Sequence, residues 1–165
     1  MRVISKKTKY ALRALYALSR HYGEGPRLIS QLSTDEQIPK KFLEIILLTL
    51  KNGGIVASKT GKGGGYYLSK SPATVTVGAV IRMMEGPLAP LPCASETAYR
   101  ACEECIDVEL CETRLIMRDV RNATSNVLDN ITLEAACKRV EELRQGGTGE
   151  SLLDQHSVAN VGFGT

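Results

Sequence analysis

What this sequence lacks removes several classes of protein. No apolar run approaches the ~20 residues that a membrane-crossing helix needs. The opening Met1-Arg2-Val3-Ile4-Ser5-Lys6-Lys7 has no long apolar core behind its charges, so a secretory leader is not expected and the cytoplasm is the expected location. Only two histidines are present, His21 at an expected, exposed helix end and His156 in the tail. With no Ser/His/Asp set and no nucleotide motif, the chain does not read as an enzyme. No internal repeat is visible.

What is there is ordinary in bulk and uneven in detail. The 165 residues are 43% hydrophobic and 24% charged, as in a soluble globular protein of one domain or a small domain with an extension. The net charge of +3 hides a division: residues 1–70 hold 13 Lys/Arg against 4 Asp/Glu, and residues 71–165 hold 8 against 14. A basic first half beside an acidic second half fits a nucleic-acid reader joined to a different module, although unevenly charged solvated faces would give the same balance.

Apolar residues recur with helical period from Lys6 to Tyr22, at Tyr10, Ala11, Ala14, Leu15 and Leu18. Gly23-Glu24-Gly25-Pro26 breaks that helix, and a brief second helix is expected from Leu28 to about Glu36. After a tight turn at Gln37-Ile38, Pro39 suits the first position of a third helix. That helix carries Phe42, Leu43, Ile46, Leu47 and Leu50 and ends at Gly53-Gly54. Two short strands are expected at Ile55–Lys59 and Tyr66–Leu68, around Thr60-Gly61-Lys62-Gly63-Gly64-Gly65. Thr76 can cap a helix from Val77 to about Met84, and a Pro-rich stretch, Gly86–Pro92, leads into the cysteines. A longer helix is expected from about Glu109 to Asp129, then one from Leu133 to Leu143 capped by Thr132. The polar, Gly-rich residues 146–165 read as largely disordered.

Three helices followed by a glycine-rich, lysine-bearing hairpin is the winged helix-turn-helix layout, mainly α with a small β-wing. The third helix of such a unit enters the major groove of duplex DNA, and its first turn reaches base edges. Here that turn is Pro39-Lys40-Lys41, with Glu44 placed to accept from a cytosine amino group. The wing candidates are Lys59, Thr60, Lys62, Gly63, Gly64 and Tyr66, and Ser30 of the second helix completes the expected DNA-binding set. Two lysines on a helix can also be merely solvated, and Glu44 can pair with a neighbour. The glycine stretch lacks the GxxxxGK[ST] order of a nucleotide loop, and no helix follows it.

Five cysteines are present, and four of them, Cys93, Cys102, Cys105 and Cys111, fall within 19 residues. In a cytosolic chain such a cluster reads as metal-binding or redox-active rather than as structural disulfides. Zinc would be indicated by two CxxC knuckles ~15–20 residues apart. Only Cys102 and Cys105 form one, so a labile iron–sulfur cluster fits better. The surrounding Glu103, Glu104, Asp107, Glu109 and Glu112 raise thiol pKa values, which weighs against a simple thiolate switch. Cys137, near Ala135 and Ala136, is expected in the core.

The start Met1–Lys6, Phe42-Leu43-Glu44, Lys51–Val56, the wing Gly61–Tyr66 and Asn130–Leu133 resemble the IscR/NsrR/CymR family of regulators, over residues 1 to about 140. The resemblance implies a winged-helix domain, a long dimerisation helix and an iron–sulfur cluster held by three cysteines, here Cys93, Cys105 and Cys111. Glu44 matches a position that tunes DNA preference in that family. IscR-like members place a histidine ligand where this chain has Arg114, which cannot ligate. NsrR-like members use an N-terminal acidic residue where this chain has Lys7-Thr8-Lys9. Cys102 is therefore a candidate fourth ligand, and the cluster can be [2Fe–2S] or [4Fe–4S].

The expected organisation is a DNA-binding domain over 1–85, a cysteine-rich loop over 86–112, a dimerisation helix and a last helix over 113–145, and a tail. The dimerisation face would carry Leu115, Ile116, Val120, Ala123 and Val127, a stripe that an intramolecular core would also explain. The leading expectation is a homodimeric repressor or dual regulator on a pseudo-palindromic DNA site. The alternatives are a cluster-free disulfide switch, for example Cys102 with Cys105, and an iron–sulfur electron carrier.

Overall fold

The computed structural model describes residues 4–146; the expected tail at 147–165 lies outside them. In chain order the elements are α1 (Lys6–Arg20), α2 (Ile29–Asp35), α3 (Lys40–Asn52), β1 (Val56–Lys59), β2 (Gly65–Leu68), α4 (Val77–Glu85), a 3₁₀ turn (Pro92–Ala94), α5 (Glu112–Asn130) and α6 (Leu133–Arg144). The fold is mainly α, with one two-stranded antiparallel wing.

Helix α1 starts where Ser5 Oγ accepts from the Thr8 N–H at 3.2 Å. It turns Ala11, Ala14, Leu15, Ala17 and Leu18 inward, against Leu43, Ile46, Leu47 and Leu50 of α3. Each buried Leu or Ile of this kind contributes about 1.5–3 kcal/mol. Phe42, expected on the apolar side of α3, sits at its edge, with its ring edge-on to Tyr10 at 5.7 Å between centroids. Helix α4 is tied to α1 through Glu85, whose Oε1 accepts from the Ser5 N–H at 2.9 Å and from the buried Thr8 hydroxyl at 2.5 Å.

The ends of α2 and α3 share one hydrogen-bond pattern. Ile38 N–H donates to Ser33 O at 3.0 Å and Gln37 N–H to Thr34 O at 3.2 Å; Ile55 N–H donates to Leu50 O at 3.0 Å and Gly54 N–H to Lys51 O at 3.0 Å. Each pattern needs one left-handed residue. It is glycine after α3 (Gly54, φ 69°) and glutamine after α2 (Gln37, φ 50°). The isoleucine that follows is buried in both.

In the wing, Val56 pairs with Leu68 and Lys59 with Gly65. Arg27 extends the sheet: its N–H donates to Tyr66 O at 2.9 Å, and Tyr66 N–H returns to Arg27 O at 2.8 Å. A side chain at residue 65 would collide with the Arg27 carbonyl, so only glycine permits this approach.

Thr76 caps α4 and Thr132 caps α6 through their hydroxyls, at 3.2 and 3.1 Å. The two segments pair, Val77 N–H to Ile131 O at 2.8 Å and Leu133 N–H to Val75 O at 2.9 Å, and Leu133 is fully buried in the main core. Helix α6, grouped with α5 in the sequence reading, lies against α1. Cys137 on α6 is half-buried rather than enclosed, because its sulfur reaches the edge of that contact, 3.7 Å from Tyr16 O. Burial pushes the Cys137 thiol and the Tyr16 hydroxyl above their ordinary ranges. Helix α5 is held to α4 by the Arg82 guanidinium, which donates to both Asp129 carboxylate oxygens, at 2.5 and 2.7 Å. It begins at Glu112 rather than Glu109, because Asp107 Oδ1 draws the Glu109 and Leu110 N–H groups, at 2.8 and 3.2 Å, into a separate turn.

Candidate nucleic-acid interface and cysteine loop

The first turns of α3 present Pro39, Lys40, Lys41 and Glu44 to solvent. Pro39 caps the helix rather than occupying its first turn, a one-residue difference that leaves its missing N–H harmless. Ile45 and Leu48, each 57% exposed, continue the same outward stripe at helical spacing from Lys41. Two aliphatic side chains there can meet thymine methyl groups. They were missed because a hydrophobic period is usually assigned to the core, and α3 has apolar residues on both faces.

In the wing, Lys59, Thr60, Lys62 and Gly63 are exposed. Gly64 is buried within the hairpin, where its N–H donates to Gly61 O at 2.9 Å, so its part is to close the turn. Tyr66 is half-buried, with its backbone committed to Arg27. Lys51 Nζ, 2.7 Å from Ser58 Oγ, braces the wing against α3. Ser30 is exposed on α2. Arg27 Nη2 pairs with Asp35 at 2.8 Å, while its Nε is buried without a hydrogen-bond partner among the described residues. Lys40, Lys41, Lys59 and Lys62 carry no ion pair among the described residues, so their charges are free for an anionic partner.

The cysteine loop runs from the 3₁₀ turn to α5. Cys93 is buried in that turn, Cys102 is exposed, and Cys105 and Cys111 are partly exposed, with Cys111 capping α5. The Cys105 thiol is pushed up, first by its hydrogen bond with Cys111, then by desolvation and by the nearby Cys111, Cys102 and Cys93. The other three sulfurs named from the sequence therefore lie within electrostatic reach of Cys105. Among the described residues no group of three or more His, Cys, Asp or Glu side chains is placed to hold a metal ion. Soft thiolate donors on one loop fit an iron–sulfur cluster by chemistry, and holding one requires the loop to close further.

Arginines on α5 hold this loop. Arg114, at the position where the resemblance sets a histidine ligand, donates to Cys93 O at 3.1 Å and to Val108 O at 3.2 Å, and so ties together two points 15 residues apart. Arg121, only 8% exposed, donates to Ala94 O at 2.9 Å and pairs with Glu96 at 2.7 Å. The sequence offered one signal for this, the spacing of Arg114, Arg118 and Arg121 on one helix face. Of the expected dimerisation residues, Leu115 and Ile116 are 45% and 57% exposed, Ala123 is exposed, and Val120 and Val127 are half-buried. Arg121 is the one buried side chain of the helix.

A three-helix head with a basic, outward-facing third helix and a glycine-tipped hairpin defines a winged helix-turn-helix regulator of transcription, which acts by binding DNA and not as an enzyme. The chain belongs to the Rrf2 family: the family model, described as an iron-dependent transcriptional regulator, matches residues 4–139. It is 40% identical over 135 residues to an rrf2-like HTH-type transcriptional regulator of Rhodobacter capsulatus, covering 80% of this chain and 90% of that one. Among solved structures it is similar to CymR, the global cysteine regulator of B. subtilis, with a TM-score of 0.68 and 31% identity over 84% of this chain and 98% of that one. It is likewise similar to T. potens IscR, with a TM-score of 0.69 and 28% identity over 87% of this chain and 91% of that one. No helix among the described residues is long and apolar enough to cross a membrane.

Proposed function

We propose that the chain acts as a homodimeric repressor at a pseudo-palindromic operator, with an affinity set by an iron–sulfur cluster held by Cys93, Cys105 and Cys111, with Cys102 as a fourth ligand. The observation that carries this reading is continuity. The loop with the four thiols ends in Cys111 as the cap of α5; α5 is clamped to α4 by Arg82 and Asp129; α4 is tied to the start of α1 by Glu85. Rearrangement of the loop thus has a path to the helix that packs against α3. A signal of this kind works only if the two loop states differ in DNA affinity.

When bound, the cluster supplies an inorganic centre sensitive to oxidation, nitric oxide and iron supply. The chain's own part is to position it: Arg114 fixes the Cys93 backbone, and the acidic residues keep the loop solvated. Lys40, Lys41 and Lys62 hold phosphates while Glu44 and the outward stripe of α3 face base edges. A second chain accounts for α5, a 19-residue helix whose apolar residues Leu115 and Ile116 otherwise face water.

Anaerobic purification, visible absorption and iron and sulfide analysis test the cluster; a colourless, iron-free protein after reconstitution overturns it. Replacing Lys40, Lys41 or Lys62 by Ala lowers the salt slope of DNA binding by about one per contact, and unchanged slopes in all three would overturn the groove assignment. Because Cys111 is the neighbour that raises the Cys105 thiol most, one second reading is a disulfide between that pair, beside the one between Cys102 and Cys105. Its formation would release two protons and pass two electrons to a peroxide or disulfide oxidant. Against it stands the raised Cys105 thiol, which leaves little reactive thiolate. Thiol counting on metal-free protein under oxidant separates the two.

A further inference from the structure

A cavity of about 190 Å³ opens between α5 and the start of the cysteine loop, with Cys93, Glu96, Tyr99, Arg114, Arg118 and Arg121 in its wall. Three guanidiniums at i, i+4 and i+7 of one helix stand together there, an arrangement that repels itself unless something negative sits between them. Glu96 is the one carboxylate in the wall, which leaves two positive charges unmatched. Arg121 is committed to Ala94 O, Asn122 Oδ1 and Glu96 and lends chiefly its charge, whereas Arg114 is fixed through Nε and Nη1 by the Cys93 and Val108 carbonyls, so little side-chain entropy is lost when its Nη2 donors engage a ligand. Arg118 has no hydrogen-bond or ion-pair partner among the described residues and is exposed at the mouth.

The geometry points to this cavity as a binding site for a small tetrahedral dianion, inorganic phosphate or sulfate. The unmatched charge of two selects a dianion over chloride or a single carboxylate. The volume, below the roughly 300–1,000 Å³ of ordinary ligand pockets, excludes nucleotides. Guanidiniums bind oxyanions through paired N–H donors, and the Tyr99 hydroxyl adds a neutral donor. An anion here sits against the same α5 arginines that hold the loop at Cys93 and Ala94, so it stiffens the loop independently of any metal and of DNA.

Titration of the full-length protein, at constant ionic strength, with sodium phosphate, sodium sulfate and sodium chloride tests this by calorimetry and by thermal unfolding. The expected result is saturable, one-site heat and a rising Tm with phosphate and sulfate, and neither with chloride. R118A leaves the fold unchanged, since Arg118 holds nothing, and weakens the dianion about ten-fold, the worth of one charge-assisted contact; R118K recovers part of it. If phosphate affects wild type and R118A equally, or no more than chloride does, the site is overturned. Operator binding by the same samples is a separate readout, so failure here leaves the regulator assignment standing.

Discussion

The two halves of the molecule are built on different principles. The head, α1 to β2 with α6 behind it, is specified by side chains wholly withdrawn from water, among them Leu15, Leu43, Ile46, Leu47 and Leu50. The rear, the cysteine loop and α5, buries only the short run Cys93–Ser95 and Arg121 and leaves Ile106 and Leu110 in solvent. Its geometry is kept by guanidinium bonds from Arg82, Arg114 and Arg121. An apolar core is bistable only at high cost, whereas a few polar ties over an open loop can be exchanged for others. The reading half is therefore the rigid one, and the half that carries the thiols can change.

The sharpest way to break this contrast is a pair of truncations. Leu47→Ala leaves a hole in the core and lowers stability by about 2–5 kcal/mol in urea unfolding. Leu115→Ala, on α5, changes the unfolding of the single chain by no more than about 0.5 kcal/mol, and shifts the chain toward monomer in sedimentation if α5 is the partner face. Equal losses would erase the distinction. Next in size is Arg114→Ala, which frees the Cys93 and Val108 carbonyls. We expect faster amide exchange confined to the loop and a global loss of about 1–2 kcal/mol; uniform exchange across α1 and α3 would mean that loop and head unfold as one.

Two smaller effects sharpen the picture. Gln37→Gly relieves a left-handed non-glycine residue and raises stability in urea unfolding by about 1 kcal/mol, while Gly54→Gln lowers it comparably; no gain at residue 37 would show that its conformation is not strained. The smallest is acidic. Arg82 holds the Asp129 carboxyl below its ordinary value of 3.8. The folded form thus gains from the ionised group above that value, and the gain disappears as pH falls through the lowered native one. The pair is partly exposed, so the loss is within about 1 kcal/mol. An acid-unfolding profile that is the same in Asp129→Asn as in wild type would remove the clamp from the account.

Much of the head was legible because its signals are local. Helical period placed α1 and α3; the Thr132 cap placed α6; Gly53-Gly54 ended α3; glycine and lysine between two β-forming runs gave the wing. Phe42 misled because aromatic character does not say whether a ring is enclosed or merely stacked on Tyr10. The rear was legible in composition and not in geometry. Four cysteines are visible in any sequence, but the Arg114 bond to Cys93 joins residues 21 apart, and the turn around Asp107 that delays α5 competes with a helix the pattern had already extended. Arg114 was noted only as a residue unable to ligate; its role as a tie depends on a carbonyl, which every residue has and no motif marks.

The paired backbone at Val75–Val77 and Ile131–Leu133 has an architectural consequence. The chain departs from the head and re-enters it through one small doorway; α4 packs back on α1, with Val80 in the main core, so the loop and α5 form the part of the detour that is free to vary. Insertions or deletions within the detour leave the distance between its ends unchanged, and the entropy of closing a longer one grows only slowly. A single DNA-reading platform can in this way be fitted with sensing segments of different length and chemistry without its own framework being redrawn.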